Sequence, residues 1–534
     1  MSVDMTVIMA PKWDSREPAC STAYICQRLR SLGRTVQYLD YNIELYDLCR
    51  RLGMGDLWTD PVYHQGWVKG AFHFLAAFLD IDRIQGDVVG FSVTATNRDM
   101  SLLLARMVRE RFPRKKIVFG GYALYYHTDL YGVSPGAVDA ICMGEGEHTL
   151  RDVLDRDFKN LEEVPGLYLP DGDGWRLTVP RPLIQNLDEI AWPTFEEVDL
   201  GLYDVPDLPL MGSRGCIGRC VFCNDRHRTP GYRTRSASHQ VDELQFLKER
   251  YGTQFFIYND PLMNGSVKVL EEKADEILRR GLSVDYGGNL MAHRGMKPEL
   301  FQKLRRSGLT VAIVGLESGC NETLGGMNKY HTEESAAEFL RNCHDAGMRV
   351  EINIIVGFPT ETEEHFQATI RFIERNRNSI DCVVSVATFH VAYSDLWKRR
   401  GEFGIEMEDH GHTAEWRTRD GRNTLDIRLD RLNRFQSRMR ELGLSLDRSD
   451  RAVEQKCPDV SGRFLKTYLD SLGEEGKLSA EERNRAPFIG RDIQGRLRRA
   501  ALAKALGKVG VLDQAVWMKR TLARVLRGTG SGTQ

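Results

Sequence analysis

The sequence predicts an α/β protein with three parts: a doubly wound, Rossmann-like N-terminal domain, a partial (β/α)6 barrel and a helical C-terminal region. Short β-rich runs alternate with amphipathic helical runs in both halves of the chain, which is typical of parallel βα units. A stretch rich in proline and turn residues separates the two halves. At 534 residues, the chain is also too long for one ordinary core.

Residues 1–160 are assigned to the N-terminal domain because strands and helices alternate there. The predicted strands are Thr6–Met9, Thr35–Leu39, Asp87–Thr94, Lys116–Gly121 and Val138–Met143. Amphipathic patterns predict helices over Thr22–Leu32 and Met100–Arg111. The segment 42–85 does not fit the alternation and is interpreted as a helical insertion.

Residues 161–204 are interpreted as an extended linker with one hairpin, and residues 205–425 as the barrel. The predicted barrel strands are Phe255–Tyr258, Val284–Gly287, Thr310–Gly315, Arg349–Val356 and Cys382–Phe389. The predicted helices are Gln240–Tyr251, Val267–Arg280, Pro298–Ser307, Thr332–Ala346 and Glu363–Asn376. A sixth unit is expected at the start of this region. In such a barrel, the chemistry lies at the C-terminal ends of the strands.

Residues 426–534 are interpreted as a charged helical region. Within it, residues 491–527 form a basic amphipathic pattern that can contact a partner or a membrane surface. A solvated helical bundle is the favoured interpretation.

The composition indicates a soluble globular protein with no overall polyelectrolyte character. Hydrophobic residues make up 42% of the chain and charged residues 28%, and the net charge is −2. Bulk charge therefore predicts neither nucleic acid nor a membrane as the main partner. We expect no transmembrane segment, because the longest apolar runs are too short. The N-terminus lacks the pattern of a secretory signal, which predicts a cytoplasmic protein.

Three of the 11 cysteines are bunched, and the rest are scattered. The scattered ones are interpreted as small buried hydrophobic residues. Cys216, Cys220 and Cys223 form a CxxxCxxC pattern in a glycine-containing loop. A compact loop of this kind can place three thiolates around one iron–sulfur cube. A structural zinc site is the alternative, with His227 as the fourth ligand.

The pattern CxxxCxxC, with Phe222 before its last cysteine, resembles the signature of radical S-adenosylmethionine (SAM) enzymes. The surrounding RGC and YRTRS runs extend the match. The resemblance implies a 4Fe-4S cluster on Cys216, Cys220 and Cys223, with SAM bound to the fourth iron. It also implies that an electron donor such as flavodoxin or ferredoxin reduces the cluster so that SAM yields a 5′-deoxyadenosyl radical.

Four later segments resemble the other SAM-binding motifs of the same family, and the whole match covers roughly residues 205–400. The resemblance implies SAM contacts from Asp260 in FFIYND, Asn289 in VDYGGNLMAHR, Glu317 in VGLESG and Gly357 in IIVGFPTE, in addition to Phe222. Taken singly, a Glu or Asn at a strand end is more often a cap or turn residue than a ligand. Their order behind the cysteines favours the functional interpretation.

The N-terminal domain carries small or hydroxylated residues at the expected C-terminal edge of its sheet. These residues are Ser92, Thr94, Gly120, Gly121, Gly144, Glu145 and Gly146. An open parallel sheet binds ligands at this edge. The order VVGFSVTAT, IVFGGYA and MGEGEHTL resembles the cobalamin-binding domain found upstream of many radical SAM domains, which implies cobalamin at these residues. The chain departs from that pattern because APKWDSREPACS stands where DxHxxG would supply a histidine to cobalt.

The two-domain resemblance implies methylation of an unactivated carbon in a small molecule or natural-product intermediate. The second interpretation is an enzyme of the anaerobic porphyrin-ester cyclase type, which catalyses a cyclisation or another oxidative or rearrangement reaction. The third interpretation is not an enzyme: it is a cobalamin-binding sensor or carrier whose cluster is only structural. A tRNA methylthiotransferase is disfavoured, since the C-terminal region is helical. His390 and Tyr393 are candidates for the substrate pocket, with packing as the alternative.

Overall fold

A computed structural model describes residues 3–55, 58, 75, 76, 78–125, 130, 132–205, 207–391, 393–407, 415–446 and 467. The described residues fall into two compact units. The first unit comprises the residues up to 183 together with 191–205, and the second comprises 184–190 and the residues from 207 to 446.

The first unit is built on a seven-stranded sheet of order β2-β1-β3-β4-β5-β6-β7. The first five strands are parallel, and they are β1 (Met5–Met9), β2 (Val36–Asp40), β3 (Val88–Ser92), β4 (Lys116–Gly120) and β5 (Ala140–Cys142). The order reverses between β1 and β3, which is the switch point of a doubly wound sheet. The predicted Rossmann-like class is confirmed.

Helices cover both faces of this sheet because its strands are apolar on both sides. Successive residues alternate between two cores: Val7 and Val118 join one, while Ile8 and Phe119 join the other. The helices are α1 (Cys20–Ser31), α2 (Tyr41–Arg51), α3 (Arg98–Arg111) and α4 (Gly146–Asp155). Helix α2 lies in the predicted helical insertion, most of whose remainder lies outside the described residues.

The predicted linker contributes to the sheet of the first unit. Strands β6 (Leu167–Asp171) and β7 (Gly174–Leu177) form the expected hairpin, and β6 pairs antiparallel with β5. Main-chain hydrogen bonds from the hairpin therefore extend the sheet, which turn composition alone did not reveal.

The second unit is an open parallel barrel of order β18-β15-β14-β13-β12-β11-β8. Its strands are β8 (Leu208–Leu210), β11 (Phe255–Tyr258), β12 (Asp285–Leu290), β13 (Leu309–Glu317), β14 (Arg349–Val356), β15 (Cys382–Thr388) and β18 (Ser445–Leu446). The first six match the predicted six βα units. Along β14, alternate residues such as Val350 and Ile352 are buried, while those between them are half-buried or exposed.

Helices connect successive barrel strands and bury their apolar faces against the sheet. They are α5 (Asp225–Arg228), α6 (Ala237–Tyr251), α7 (Val267–Arg280), α8 (Pro298–Arg306), α9 (Asn321–Met327), α10 (Glu333–Asp345), α11 (Glu363–Arg375), α12 (Asp395–Lys398) and α13 (Leu425–Glu441). Two short ribbons complete the unit: β9 (Ser213–Arg214) with β10 (Arg233–Thr234), and β16 (Ile405–Glu406) with β17 (Arg417–Thr418).

Helix α13 belongs to the second unit, although the sequence assigned it to the C-terminal helical region. It packs against β15 and α11, and β18 after it pairs with β15. The basic segment 491–527 lies outside the described residues. No helix in the described part of the chain is long and apolar enough to cross a bilayer.

Candidate active site

The three clustered cysteines lie in a loop that a two-stranded ribbon closes at its base. Strands β9 and β10 pair antiparallel on either side of the loop. Gly215, at the start of the loop, has φ of +80°, and a Cβ there would lie 1.8 Å from the Gly231 carbonyl oxygen. Only glycine allows this approach of the two backbone segments.

Backbone hydrogen bonds fasten the cysteine loop to two other parts of the barrel. The Val221 amide donates to the Met327 carbonyl (3.0 Å) at the end of α9, and the Leu396 amide donates to the Val221 carbonyl (2.8 Å). The Asn328 side chain donates to the Arg219 carbonyl at 2.9 Å. The loop is therefore positioned by the protein itself.

The thiols of Cys216 and Cys220 lie on the same side of the loop, next to Gly218, and are partly shielded from solvent. A Cβ on Gly218 would lie 3.3 Å from Cys216 Sγ and 3.8 Å from Cys220 Sγ. Burial raises the pKa of Cys216, and it raises the pKa of Cys220 to about 11. Both thiols are therefore protonated at neutral pH when no metal is bound, and iron binding has to displace their protons.

The donor set fits a cluster of several iron atoms better than one zinc ion. A zinc ion sits about 2 Å from each ligand, which requires the ligand atoms to lie close together. Among the described residues, the group whose ligand atoms all lie within 4.8 Å of one another is Cys320, Glu322 and His365, and the three loop cysteines do not form such a group. His227, the candidate fourth zinc ligand, lies with Nε2 2.9 Å from Asp395 Oδ1 instead.

Glu317 lies beside the cysteine loop and faces a buried lysine. Its backbone has φ of +66°, and the β13–β14 register shifts between Gly315 and Glu317. This bulge turns the side chain toward Lys329, whose Nζ lies 3.4 Å from Glu317 Oε1. Burial by itself lowers the pKa of Lys329. The Coulomb interactions with Glu317, Cys220 and Cys216 have the larger effect together, so the pKa of the lysine is raised.

Asp260 is buried and supports the base of the cysteine loop. Its Oδ1 accepts from the Gly212 amide (2.9 Å) and its Oδ2 from the Ser213 hydroxyl (2.8 Å). The Asn289 side chain donates to the Asp260 carbonyl at 2.9 Å. Both carboxylate oxygens thus bind the protein segment that leads into the loop, a role that the sequence did not reveal.

Phe222 and Gly357 both pack against protein groups. The Phe222 ring meets the Phe389 ring edge-on, with centroids 6.4 Å apart. Gly357 has φ of +82°, and a Cβ there would lie 2.3 Å from Arg428 Cγ. Arg428 and α13 therefore require glycine at this position, independently of any ligand.

The two candidates for the substrate pocket follow β15. His390 is exposed, and Tyr393 is half-buried, with Lys398 Nζ 5.5 Å from its ring centroid. The residues between β15 and α12 also include Val391, which is buried in the same apolar cluster as Phe389.

The seven residues proposed from the N-terminal domain follow three adjacent strands. Ser92 and Gly120 are paired in register at the ends of β3 and β4. The Asn97 side chain orders the loop after β3, since it accepts from the Thr94 amide (2.7 Å) and donates to the Ser92 carbonyl (2.9 Å). Thr94 is half-buried at this edge.

The glycines at this edge differ in what surrounds them. A Cβ on Gly121 would lie 2.6 Å from the Val93 carbonyl oxygen, and one on Gly146 would lie 3.1 Å from Ile25 Cδ1. Packing within the first unit therefore explains why Gly121 and Gly146 are glycines. Gly144 has φ of +78° and only Tyr125 Cε2 (3.9 Å) near its Cβ position. Glu145 is the N-cap residue of α4.

Comparison with known proteins identifies the second unit. Residues 210–373, which contain the three clustered cysteines and β11 to β14, match the model of the radical SAM superfamily. This match shows that the second unit contains a radical SAM domain. The domain confirms the resemblance that the cysteine spacing indicated.

Curated relatives of this chain include two kinds of enzyme. An uncharacterized methyltransferase of Pyrococcus horikoshii is 25% identical over 301 residues, covering 55% of this chain and 65% of the relative. The anaerobic magnesium-protoporphyrin IX monomethyl ester cyclase of Cereibacter sphaeroides is 26% identical over 371 residues, covering 66% of this chain and 56% of the relative. The chain thus spans less than two thirds of the length of each.

Solved structures share the fold over nearly the whole length of this chain. The radical SAM methyltransferase TsrM from Kitasatospora setae, described with cobalamin and a [4Fe-4S] cluster bound, matches with a TM-score of 0.65 and 14% identity, covering 94% of this chain and 100% of that one. The cobalamin-dependent radical SAM enzyme OxsB matches with a TM-score of 0.60 and 14% identity, over 99% and 85% of the two chains. At this identity the likeness shows the fold alone.

Sequence reasoning missed Lys329, Asn328 and Asn97. Asn328 has φ of +55° at the end of α9, and it stands next to a lysine at the break between two helices. An Asn–Lys pair at a helix end is a weak signal, because such residues are common at solvated helix ends.

Proposed function

We propose that this chain is a cobalamin-dependent radical SAM enzyme of the cytosol that methylates an unactivated carbon of a small molecule. The observation that carries the proposal is the loop of Cys216, Cys220 and Cys223, which offers three thiols to a cluster and leaves one iron for SAM. The match to the radical SAM model supports the cluster. The methyltransferase relative and the TsrM fold support the methyl transfer and the cobalamin.

The residues around the loop have distinct proposed roles. When bound, the cluster, SAM and cobalamin supply the electron, the radical and the methyl group. Cys216, Cys220 and Cys223 hold the cluster, while Glu317 and Asn289 contact SAM. Phe222 and Gly357 shape the wall near it, by packing on Phe389 and by admitting Arg428.

Asp260 is proposed as a positioning residue rather than as a direct SAM ligand. Its two carboxylate oxygens accept from Gly212 and Ser213, so it sets the angle at which the ribbon presents Cys216. Asp260→Asn is expected to retain the cluster but to weaken SAM binding, which equilibrium dialysis with labelled SAM measures. Equal SAM affinity in both proteins would contradict this role.

Cobalamin is proposed at the C-terminal edge of β3, β4 and β5, next to Ser92, Thr94, Gly120, Gly121, Gly144, Glu145 and Gly146. No histidine of the DxHxxG type is present to bind cobalt from below. Thr94→Tyr places a bulky ring at this edge without entering the core. We expect it to abolish the cobalamin absorbance that stays with the wild-type protein after gel filtration, and Arg98→Tyr on the adjoining helix to serve as the control.

The radical chemistry is tested by anaerobic turnover. Reconstituted protein given SAM and dithionite is expected to form 5′-deoxyadenosine, which chromatography with mass detection measures. Cys220→Ala is expected to lose both the iron and the product. Cys382→Ala, which removes a buried thiol of β15, is expected to retain both. Cobalamin binding without any SAM cleavage would favour a sensor or carrier.

Methylation is separated from cyclisation by the fate of the methyl group. The cyclase relative matches a larger share of this chain than the methyltransferase relative does, 66% against 55%. Incubation with SAM carrying a deuterated methyl group and a small-molecule extract of the source organism is expected to yield a product three mass units heavier than with ordinary SAM. An unlabelled product with fewer hydrogens would favour the cyclase reaction.

The remaining proposals concern partners. A flavodoxin or ferredoxin supplies the electron, and a small molecule contacts His390 and Tyr393 after β15. His390→Ala is expected to raise the KM for the substrate identified by the labelling experiment while leaving uncoupled 5′-deoxyadenosine formation intact.

A further inference from the structure

A second group of metal-ligating side chains lies outside the cysteine loop. Cys320, Glu322 and His365 bring one thiol sulfur, one carboxylate oxygen and one ring nitrogen within 4.8 Å of one another. Cys320 is 3% exposed and precedes α9, Glu322 is exposed in the first turn of α9, and His365 is half-buried in the first turn of α11. None of the three belongs to the site described above.

The spacing of these atoms matches what a single small ion needs. Zinc binds sulfur at about 2.3 Å and nitrogen or oxygen at about 2.0–2.2 Å, so its ligand atoms lie less than about 4.6 Å apart. Cys320 Sγ already lies 3.0 Å from Glu322 Oε2, with the thiol donating to the carboxylate. A mixed set of one sulfur, one nitrogen and one oxygen favours zinc over calcium or magnesium, which prefer oxygen alone.

Neighbouring hydrogen bonds hold the Cys320 segment and α11 in a fixed relation. The Gly319 amide donates to Thr369 Oγ1 (3.1 Å), and Ser318 Oγ lies 2.9 Å from the same oxygen. The Cys320 amide in turn donates to Ser318 Oγ at 3.2 Å. Thr369 stands one helical turn after His365, so the ligands come from two segments that are already joined. Such outer contacts preorganise metal sites.

Close packing strengthens this junction. A Cβ on Gly319 would lie 2.3 Å from Phe372 Cβ, so the chain just before Cys320 touches α11 directly. The Thr362 amide contacts His365 Nδ1 at 3.4 Å, which is the long limit of a hydrogen bond. Metal binding through Nδ1 replaces this weak contact at small cost, whereas binding through Nε2 leaves it in place.

We propose that Cys320, Glu322 and His365 bind one zinc ion, with water as the fourth ligand. Binding releases the Cys320 thiol proton to solvent, so that a thiolate, a carboxylate and a neutral imidazole surround the ion. The ion joins the start of α9 to the start of α11. The end of α9 carries Met327 and Asn328, which fasten the cysteine loop, so the zinc ion braces the helix that supports the cluster.

The test uses the full-length protein with its cluster reconstituted. Wild type and variants are dialysed anaerobically with Zn²⁺ and passed over a chelating resin, and zinc and iron are then counted by mass spectrometry. Wild type is expected to retain about one zinc per chain more than His365→Gln or Glu322→Gln, which replace a half-buried and an exposed side chain. His344→Gln, an exposed histidine on α10, is the matched control and is expected to retain the zinc.

Two further comparisons keep the outcome decisive. Cys220→Ala is expected to lose iron but retain this zinc, so failure of the cluster and failure of the zinc site are distinguishable. Zn²⁺ is also expected to raise the melting temperature of wild type but not of His365→Gln. Equal zinc content in wild type and His365→Gln, or no zinc in either, would overturn the proposal.

Discussion

Lys329 Nζ lies 3.4 Å from Glu317 Oε1, and both side chains are shielded from solvent next to Cys216 and Cys220. The lysine therefore places a positive charge in low-dielectric surroundings beside two of the three thiols. Charge near a cluster acts directly on its reduction potential. The pair also orients Glu317, whose strained backbone turns its carboxylate toward the loop.

Replacing Lys329 is expected to make the cluster harder to reduce. Lys329→Gln removes a positive charge that stabilises the added electron. The midpoint potential of the cluster is therefore expected to fall by roughly tens of millivolts. Anaerobic redox titration followed by electron paramagnetic resonance measures the shift. Lys329→Arg retains the charge and is expected to stay near the wild-type potential. An unchanged potential in Lys329→Gln would show that the lysine only orients Glu317.

Gly357→Ala is expected to destabilise the radical SAM domain. The residue has φ of +82°, and the new Cβ would meet Arg428 Cγ at 2.3 Å, displacing a guanidinium whose carbon lies 3.8 Å from the Trp416 ring centroid. Backbone strain alone costs about 1–3 kcal/mol, and the lost contacts add to it. Urea unfolding measures the change. Gly325→Ala in α9 meets no atom within 4 Å and is expected to be neutral or to stabilise by about 0.5–1 kcal/mol.

A buried ion pair offers a test of how the domain is held together. Arg235 and Glu243 are 0% and 2% exposed in their side chains, with Nη1 and Oε2 2.7 Å apart. Arg235 also donates to the Ile190 carbonyl at 3.1 Å. Arg235→Met removes the cation that faces the buried carboxylate of Glu243 and is expected to cost about 3–5 kcal/mol.

The matched double variant distinguishes charge from packing in this pair. Arg235→Met with Glu243→Leu removes both charges and is expected to be more stable than Arg235→Met alone, as thermal melts measure. A double variant as unstable as the single one would show that the arginine acts through the Ile190 carbonyl and its packing instead.

His331 is expected to make stability depend on pH. Burial, with Lys329 nearby, lowers the pKa of His331 from 6.5 to about 4, and Nε2 lies 3.2 Å from the Leu316 carbonyl oxygen. The unfolded chain therefore binds a proton between pH 6.5 and 4 that the folded chain does not. The contribution of neutral His331 to the free energy of unfolding is therefore fully present above pH 6.5. It falls by up to ~3 kcal/mol as the pH drops toward 4.

Substitution isolates this contribution. His331→Gln is expected to flatten the dependence of the unfolding free energy on pH between 6.5 and 4, measured by urea unfolding at several pH values. His344→Gln, on the exposed face of α10, is expected to leave the slope as in wild type. An unchanged slope in His331→Gln would assign the dependence to other groups.

Much of the fold could be predicted because local patterns specify it. The strand from Lys116 was placed within one residue, since an apolar run between turn signals needs no distant information. The three cysteines of the loop are eight residues from first to last, so their convergence is also a local property. The pairing of the Leu167–Asp171 hairpin with β5 was missed, because pairing of an edge strand depends on which edge is open.

The sequence by itself determined the order of βα units and the cysteine spacing that predicts the cluster site. Only the tertiary structure decided that Lys329 faces Glu317, that Asp260 braces the ribbon and that Arg428 occupies the space beside Gly357. It also brought Cys320 and Glu322 to His365, 43 residues from Glu322 along the chain. The physical reason is the distance along the chain over which each kind of information acts. Periodicity and turn chemistry act within one element, whereas these contacts arise only when strands from distant segments align their ends.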